Sequence, residues 1–249
     1  MSQRNILVLT SAIAPQSGVH ALARANPADR LGDYLRALDF YLPLVAKGVF
    51  DALVYVDNSG YPLDEHEAKA KVLGVEDATE FVSYVSEVPP YFSRYYLEAN
   101  LLLEGIKRSA TLKKASEEVL WKVTGRYIVE NIEKIVATQP ARFDLYLNLR
   151  NHPYRVVDFF LVGARATAFE SLLQRDIEAF RVREDGEIIL RQRIDAGYYE
   201  DIEIVPRLRV TPRLFGVRGF DGAAYGGFRH ALKFHLRRAA THIVPWLWI

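Results

Sequence analysis

The sequence predicts an α/β fold, a single mostly parallel sheet flanked by helices, and three observations carry that prediction. The stretch "NILVLTSAIAP" is β-branched and apolar without alternation, as expected of a strand buried on both faces. Strand and helix patterns then alternate from residue 5 to about residue 180. With 249 residues, 50% hydrophobic and 25% charged, the chain is long enough to bury a substantial core in one body.

The elements follow in order. "NPADRLGDYLRALDFYLPLVAKG" reads as a long helix: Asn26 is placed to cap it, Pro27 takes the first helical position, and Leu31, Tyr34, Leu35, Leu38, Tyr41 and Leu42 recur at helical spacing before Gly48. "VFDALVYVDNSG" is a second strand running into a turn. A strand-helix-strand unit calls for a right-handed crossover, with ligands beyond the carboxyl ends of the strands. Thr10 in "TSAIAP" and Asn58 and Ser59 in "VDNSG" therefore belong at the rim of a site. "TEFVSYVS" is a third strand, "EVPPYFSRYY" an aromatic loop, and "SRYYLEANLLLEGIKRSATLKKA" a second amphipathic helix with Tyr95, Leu97, Leu101, Leu102 and Ile106 facing the core. "EEVLWKV" is a short strand whose Thr-Gly turn opens the helix "RYIVENIEKIVAT". The strand "FDLYLNLR" and the segment "VVDFFLVGARATAFESLL" complete the alternation.

Beyond Arg181 the character changes. "FRVREDGEIIL" carries an Asp-Gly turn, "IEIVPRLRVTPRLFGVRGFDG" is strand-like and punctuated by Pro and Gly, and "YGGFRHALKFHLRRAATHIVPWLWI" is helical and basic. The division expected is an α/β body over residues 1–206 and a basic extension, 207–249, packed on or beside it. From Arg207 onward eight Lys/Arg face one acid, Asp221, while the rest of the chain has an excess of acids and the whole a net charge of +1. That polarity points to an anionic partner near the C-terminus.

Several function classes drop out. Without cysteine there is no disulfide framework, thiolate nucleophile or thiolate metal site, which fits a reducing compartment, and a cytoplasmic location is the expectation. The N-terminal apolar run is too short for a signal segment, and no run approaches the roughly 20 residues of a membrane span. His20, His66, His152, His230, His235 and His242 are scattered, with no HExxH. Walker A, GxGxxG and GxSxG patterns are also missing.

The stretch "LWKVTGRYIVENI" carries the most chemistry. Lys122 at a strand end, a small turn, and Arg126 at a helix start would gather two cations and free backbone N–H groups at one rim, a setting for phosphate or carboxylate. Surface charges flanking a βα turn give the same pattern, and the two readings stand side by side.

"ILVLTSAIAP", "ADRLGDYLRALDFYL", "VYVDNSGYPLD", "WKVTGRYIVENI" and "PRLFGVRGFDGAAYGG" together resemble, in order and spacing, small bacterial glycosyltransferase-like proteins of capsule and O-antigen gene clusters. The resemblance spans most of the chain. Its most specific element is the Lys-x-Thr-Gly-Arg-Tyr run followed by Asn131, with Asn58 and Ser59 as secondary support. It implies a GT-A-like catalytic body over residues 1–206 that holds an activated sugar, from a nucleotide-sugar donor, at its strand ends. Lys122, Thr124, Gly125 and Arg126 would bind the donor, with Thr10, Asn58 and Ser59 nearby, and the cations would stabilise the departing diphosphate.

One departure concerns metal. Many GT-A enzymes hold a divalent ion on Asp-x-Asp, and this chain has none. Asp144 and Asp158 are the nearest lone carboxylates, so either Lys and Arg neutralise the leaving group without metal, or Mg²⁺ or Mn²⁺ is held by one Asp and substrate oxygens. Asp158 is retained as a donor-side candidate. For the general base that an inverting transfer needs, "AGYYEDIEI" offers Glu200 and Asp201 after two tyrosines suited to an acceptor platform, and Asp33 is a third candidate. An acidic turn between strands is the more ordinary account of the first two, and an i,i+3 ion pair with Arg30 that of Asp33. In the tail, Tyr225, Phe228, Leu232 and Leu236 beside Arg229, Lys233, Arg237 and Arg238, with Trp246 and Trp248, suit an anionic membrane surface. A docked helix or a dimer contact suits them too. The expected partners are thus a nucleotide-sugar donor, a lipid-linked glycan acceptor and the inner face of the cytoplasmic membrane. A non-catalytic scaffold of glycan assembly is the alternative; a nucleic-acid binder is disfavoured because the basic charge is confined to the last segment.

Overall fold

Alternate residues of the first strand, β1 (Asn5–Ser11), enter two separate apolar layers, Leu7 and Leu9 on one side and Ile6 and Val8 on the other. A strand covered on both faces has no polar positions to alternate with. The structure, a computed structural model, describes residues 3–20, 22–181, 185–219, 221–226, 232, 234–237 and 239.

After β1 come α1 (Pro27–Ala46), β2 (Ala52–Asp57), α2 (Asp64–Val72), β3 (Thr79–Ser83), α3 (Arg94–Arg108) and α4 (Ala110–Lys114). The middle of the chain forms β4 (Val119–Thr124), β5 (Tyr127–Val129), α5 (Ile132–Ala137), β6 (Leu145–Tyr146), β7 (Leu149–Arg150), β8 (Val156–Val157) and β9 (Leu161–Arg165). Then follow α6 (Ala166–Asp176), α7 (Gly186–Asp195), β10 (Ile204–Val205), β11 (Leu214–Val217) and β12 (Ala224–Tyr225).

Seven strands form the central sheet in the order β10-β6-β9-β4-β1-β2-β3. The pairs β1–β2, β2–β3, β1–β4 and β6–β10 are parallel, whereas β9 runs antiparallel to both β4 and β6. The mostly parallel sheet with flanking helices is therefore present. Tyr34, Leu38, Tyr41 and Leu42 of α1 cover one face together with α5, and α3, α6 and α7 cover the other through Leu101, Leu102, Phe169, Leu173 and Leu190. The start of α1 follows its sequence signal: the Asn26 side chain accepts from the N–H groups of Ala28 and Asp29 at 2.9 and 3.4 Å, with Pro27 next.

Three elements differ from expectation. The Thr-Gly turn opens the strand β5, not a helix, because Tyr127-Ile128-Val129 pairs antiparallel with the distant β11. The Tyr41 hydroxyl also bridges β5, donating to the Tyr127 carbonyl and accepting from the Val129 N–H, both at 2.9 Å; the helix begins at Ile132 and has six residues. The helix expected through residue 115 breaks at Ser109, whose extended backbone caps α4, while Glu80 accepts from Ser109 Oγ and from the N–H groups of Ala110 and Thr111. Asp185 caps α7 by accepting from the Glu187 N–H at 3.0 Å, so the Asp-Gly pair starts a helix. The expected tail helix lies mostly outside the described residues.

Candidate functional site

The carboxyl ends of β1, β2 and β4 are drawn together by buried polar contacts. Asp57, fully buried at the end of β2, accepts through one oxygen from Ser11 Oγ (2.7 Å) and the Ile13 N–H (2.8 Å), and through the other from the Ser59 N–H (2.8 Å) and Oγ (2.5 Å). Gly125 donates its N–H to the Thr10 carbonyl at 2.9 Å. A side chain there would place its Cβ 2.6 Å from that oxygen, so only glycine lets the ends of β4 and β1 close to this distance.

Above these ends opens a cavity of about 610 Å³, within the usual range of ligand pockets. Thr10, Asn58, Ser59, Thr124, Arg126 and Asp158 line it, as do Thr211, Phe215, Arg218 and Tyr225 from the C-terminal segment. The wall thus includes both sides of residue 206. Asn131 helps place the later side: its side chain donates to the Thr211 carbonyl (2.9 Å) and accepts from the Arg213 N–H (2.8 Å).

The two cations of "WKVTGRY" part company. Lys122 is fully buried beneath the cavity and does not line it, because its Nζ meets Glu98 Oε1 (2.5 Å), the Phe159 carbonyl (2.6 Å) and Thr124 Oγ1 (3.3 Å). Burial pulls its ammonium below the ordinary lysine value, and Glu98 opposes that shift. With three protons committed, Lys122 has none for a ligand. Arg126 does face the cavity. Its Nε donates to the Val217 carbonyl at 3.1 Å, its guanidinium lies 5.0 Å from the Tyr127 ring centroid, and no described carboxylate forms an ion pair with it. The neighbouring Tyr34 and Tyr127 outweigh burial and hold its pKa above the usual arginine value. Gly219 packs so close that an added Cβ would stand 3.0 Å from Arg126 Nη2, and one at Gly216 would stand 2.7 Å from the Arg126 carbonyl oxygen.

The three base candidates stand elsewhere. Asp33 is buried in α1 and pairs with Arg24 (2.8 Å) and Arg36 (3.5 Å), not with Arg30, which donates to the Ala12 and Arg24 carbonyls and to Tyr34 Oη. Asp201 is exposed and held by both terminal nitrogens of Arg175, which lowers its pKa. Glu200 is exposed as well, and none of the three lines the cavity. The paired tyrosines diverge: Tyr198 is exposed, whereas Tyr199 is buried with its hydroxyl on Asp176.

Four carboxylates line the cavity instead: Glu98, Glu130, Asp158 and Glu187. Asp158 accepts from Arg150 Nε (2.7 Å) and Asn148 Nδ2 (2.8 Å), and Glu130 pairs with Arg213 (2.7 Å). Glu187 accepts from the Phe159 N–H at 3.1 Å, and burial, reinforced by the negative charge of Asp158, pushes its pKa up to about 8. Gly186 seats this end of α7 on Tyr95, since a Cβ there would meet the ring at 2.5 Å. Among the described residues no three His, Asp or Glu side chains are grouped to hold a metal ion.

Glu98 and Glu187 escaped the sequence reading. A signal existed for Glu98, which falls three residues after Tyr95 and four before Leu102 on the apolar stripe of α3, where an acid needs a buried partner. Nothing local marks Glu187.

No protein-family model matches the sequence, and no curated protein matches it at a significant level. Among solved structures the chain is similar to the galactosyltransferase LgtC in complex with donor and acceptor sugar analogs, at 9% identity and a TM-score of 0.44, over 75% of this chain and 70% of that one. It is also similar to a chain named as a nucleotide-diphospho-sugar transferase from Desulfovibrio desulfuricans G20, at 12% identity and a TM-score of 0.42, over 82% and 80% of the two chains.

Proposed function

We propose that this protein is a glycosyltransferase that moves a sugar from a nucleotide-sugar donor to a hydroxyl acceptor. The carrying observation is Arg126: a guanidinium with no carboxylate partner among the described residues, fixed at the end of a parallel strand and facing a ligand-sized cavity. Guanidinium groups bind diphosphate through charge-assisted hydrogen bonds, and negative charge grows on that group as the glycosidic bond breaks. Thr10 and Thr124 line the same cavity. Arg126, Thr10, Thr124, Asn58 and Ser59 form the donor side in this reading, Gly125 shapes it, and Lys122 supports it from below.

Glu187 is the proposed proton acceptor for the attacking hydroxyl, replacing Glu200, Asp201 and Asp33, because it faces the cavity and they do not. Asp158, held by Arg150 and Asn148, keeps the negative field that raises the basicity of Glu187. Transfer is proposed to proceed without a divalent ion, since Glu98, Glu130 and Asp158 are each engaged by a cation and Glu187 is biased towards its neutral form. The acceptor proposed is a lipid-linked glycan of bacterial surface polysaccharide assembly, with the basic C-terminal segment resting on the cytoplasmic face of the membrane. No described helix is long and apolar enough to cross one.

The test is calorimetric binding of UDP-glucose, UDP-galactose and GDP-mannose to the full chain, with EDTA present or with added Mg²⁺. One donor is expected to bind equally in both buffers, and Arg126→Ala to weaken it about tenfold or more. Undiminished binding by Arg126→Ala would refute the donor-site assignment. Binding only with Mg²⁺ would refute metal independence.

A further inference from the structure

We infer that Glu98 is the hydroxyl-reading residue of the cavity, its second carboxylate oxygen accepting a hydrogen bond from a sugar or ribose hydroxyl of the bound donor. The inference rests on the nucleotide-sugar reading above. It starts from an asymmetry within one carboxylate. Oε1 faces three donors, Lys122 Nζ at 2.5 Å, Thr124 Oγ1 at 3.3 Å and Thr10 Oγ1 at 3.4 Å. Oε2 accepts nothing from any described residue, although the side chain lines the cavity and is 24% exposed.

The contacts behind Oε1 keep the group from turning. Lys122 is anchored by the Phe159 carbonyl as well as by Glu98, and Thr124 Oγ1 can accept from the ammonium while donating to the carboxylate. Each member of the network is satisfied by another, the condition under which a buried polar cluster is rigid. What remains for the cavity is a fixed oxygen that can only accept.

That chemistry selects its partner. A phosphate oxygen would set lone pairs against lone pairs and charge against like charge. A divalent cation would have to share the carboxylate with an ammonium 2.5 Å away. A hydroxyl donates directly and makes a charge-assisted bond. Arg126 and Glu98 line the same cavity. One site therefore offers a cation for the diphosphate and an acceptor for a hydroxyl, and a ligand carrying both groups binds in one orientation. The ligand class is a hydroxyl-rich nucleotide sugar, with a deoxy analogue rejected where Oε2 would be left unpaired.

The test compares inorganic pyrophosphate with UDP-glucose, UDP-galactose and GDP-mannose by calorimetry on the wild-type chain, on Glu98→Gln, and on the double variant Glu98→Gln, Lys122→Met. The double variant removes the buried ammonium together with its carboxylate partner, so no orphaned ammonium compromises folding. Both variants are expected to bind the best donor roughly 10- to 100-fold more weakly while pyrophosphate affinity holds or rises. Their discrimination between that donor and its deoxy analogues should also shrink. Equal losses for donor and pyrophosphate would reduce Glu98 to a structural part and overturn the inference. Unchanged donor affinity in the variants would overturn it while leaving the glycosyl-transfer reading intact. Wild-type protein that binds pyrophosphate but none of the nucleotide sugars would overturn both.

Discussion

At the scale of single residues, burial decides what a charge can do. Glu187 illustrates this with two opposite consequences of one shift. In the proposed role its ionised form accepts the proton, so kcat/KM is expected to rise with pH through about 8, and Glu187→Gln should flatten that rise and lower the rate roughly 10²- to 10⁴-fold. Stability should move the other way. A carboxyl whose folded pKa lies above its unfolded value stabilises fully below the unfolded pKa, and that contribution is lost as pH rises through the folded one. Glu187→Gln is therefore expected to be more stable than wild type at pH 9, on the order of 2 kcal/mol after allowing for its partial exposure, as read by urea midpoints. His66 is the converse case. It is fully buried against Tyr55 and Phe81, neither ring nitrogen has a hydrogen-bond partner among the described residues, and burial lowers its pKa to about 4. Its stabilising contribution is present above pH 6.5 and is lost as pH falls through about 4. His66→Phe should remove that acid loss, up to about 3 kcal/mol, in melting curves recorded at pH 4 and pH 7.

At the scale of elements, joints between strand ends build the site. Gly125→Ala forces a Cβ against the Thr10 carbonyl and should separate β4 from β1. The expected outcome is a loss of about 1–3 kcal/mol in stability together with lost donor binding, from denaturant titration and calorimetry on the same variant. The sequence made some elements readable and hid others for definable reasons. The start of α1 was legible because Asn26 and Pro27 are local signals, and β1 because its burial on both faces leaves a continuous apolar run. β5 was not, because three residues after a turn give no periodicity and their partner strand lies some 85 residues on. The break at Ser109 was hidden for a similar reason, since Glu80 on a distant strand supplies the cap. Thr10, Asn58, Ser59 and Arg126 reach the cavity because strand ends are predictable places, whereas Glu187 reaches it only through the seat of Gly186 on Tyr95.

At the scale of the whole molecule, the division at residue 206 cuts through the site. β11 and β12 join β5 in a three-stranded sheet, and the Arg24 N–H donates to the Gly219 carbonyl at 3.1 Å, tying the loop after β1 to the same segment. A chain ending at residue 206 is expected to lose donor binding and to melt at lower temperature, because β5 loses its partner strand and Arg126 loses the Val217 carbonyl. A truncated chain that still binds a nucleotide sugar like the full one would contradict this. The shared sheet also bears on how the protein is made. Strands β1 to β4 have left the ribosome long before residue 211, yet the pocket has no outer wall until the segment through Tyr225 emerges and folds back. The cavity is thus among the last features the nascent chain completes, and a chain cut short before residue 211 leaves it open on that side.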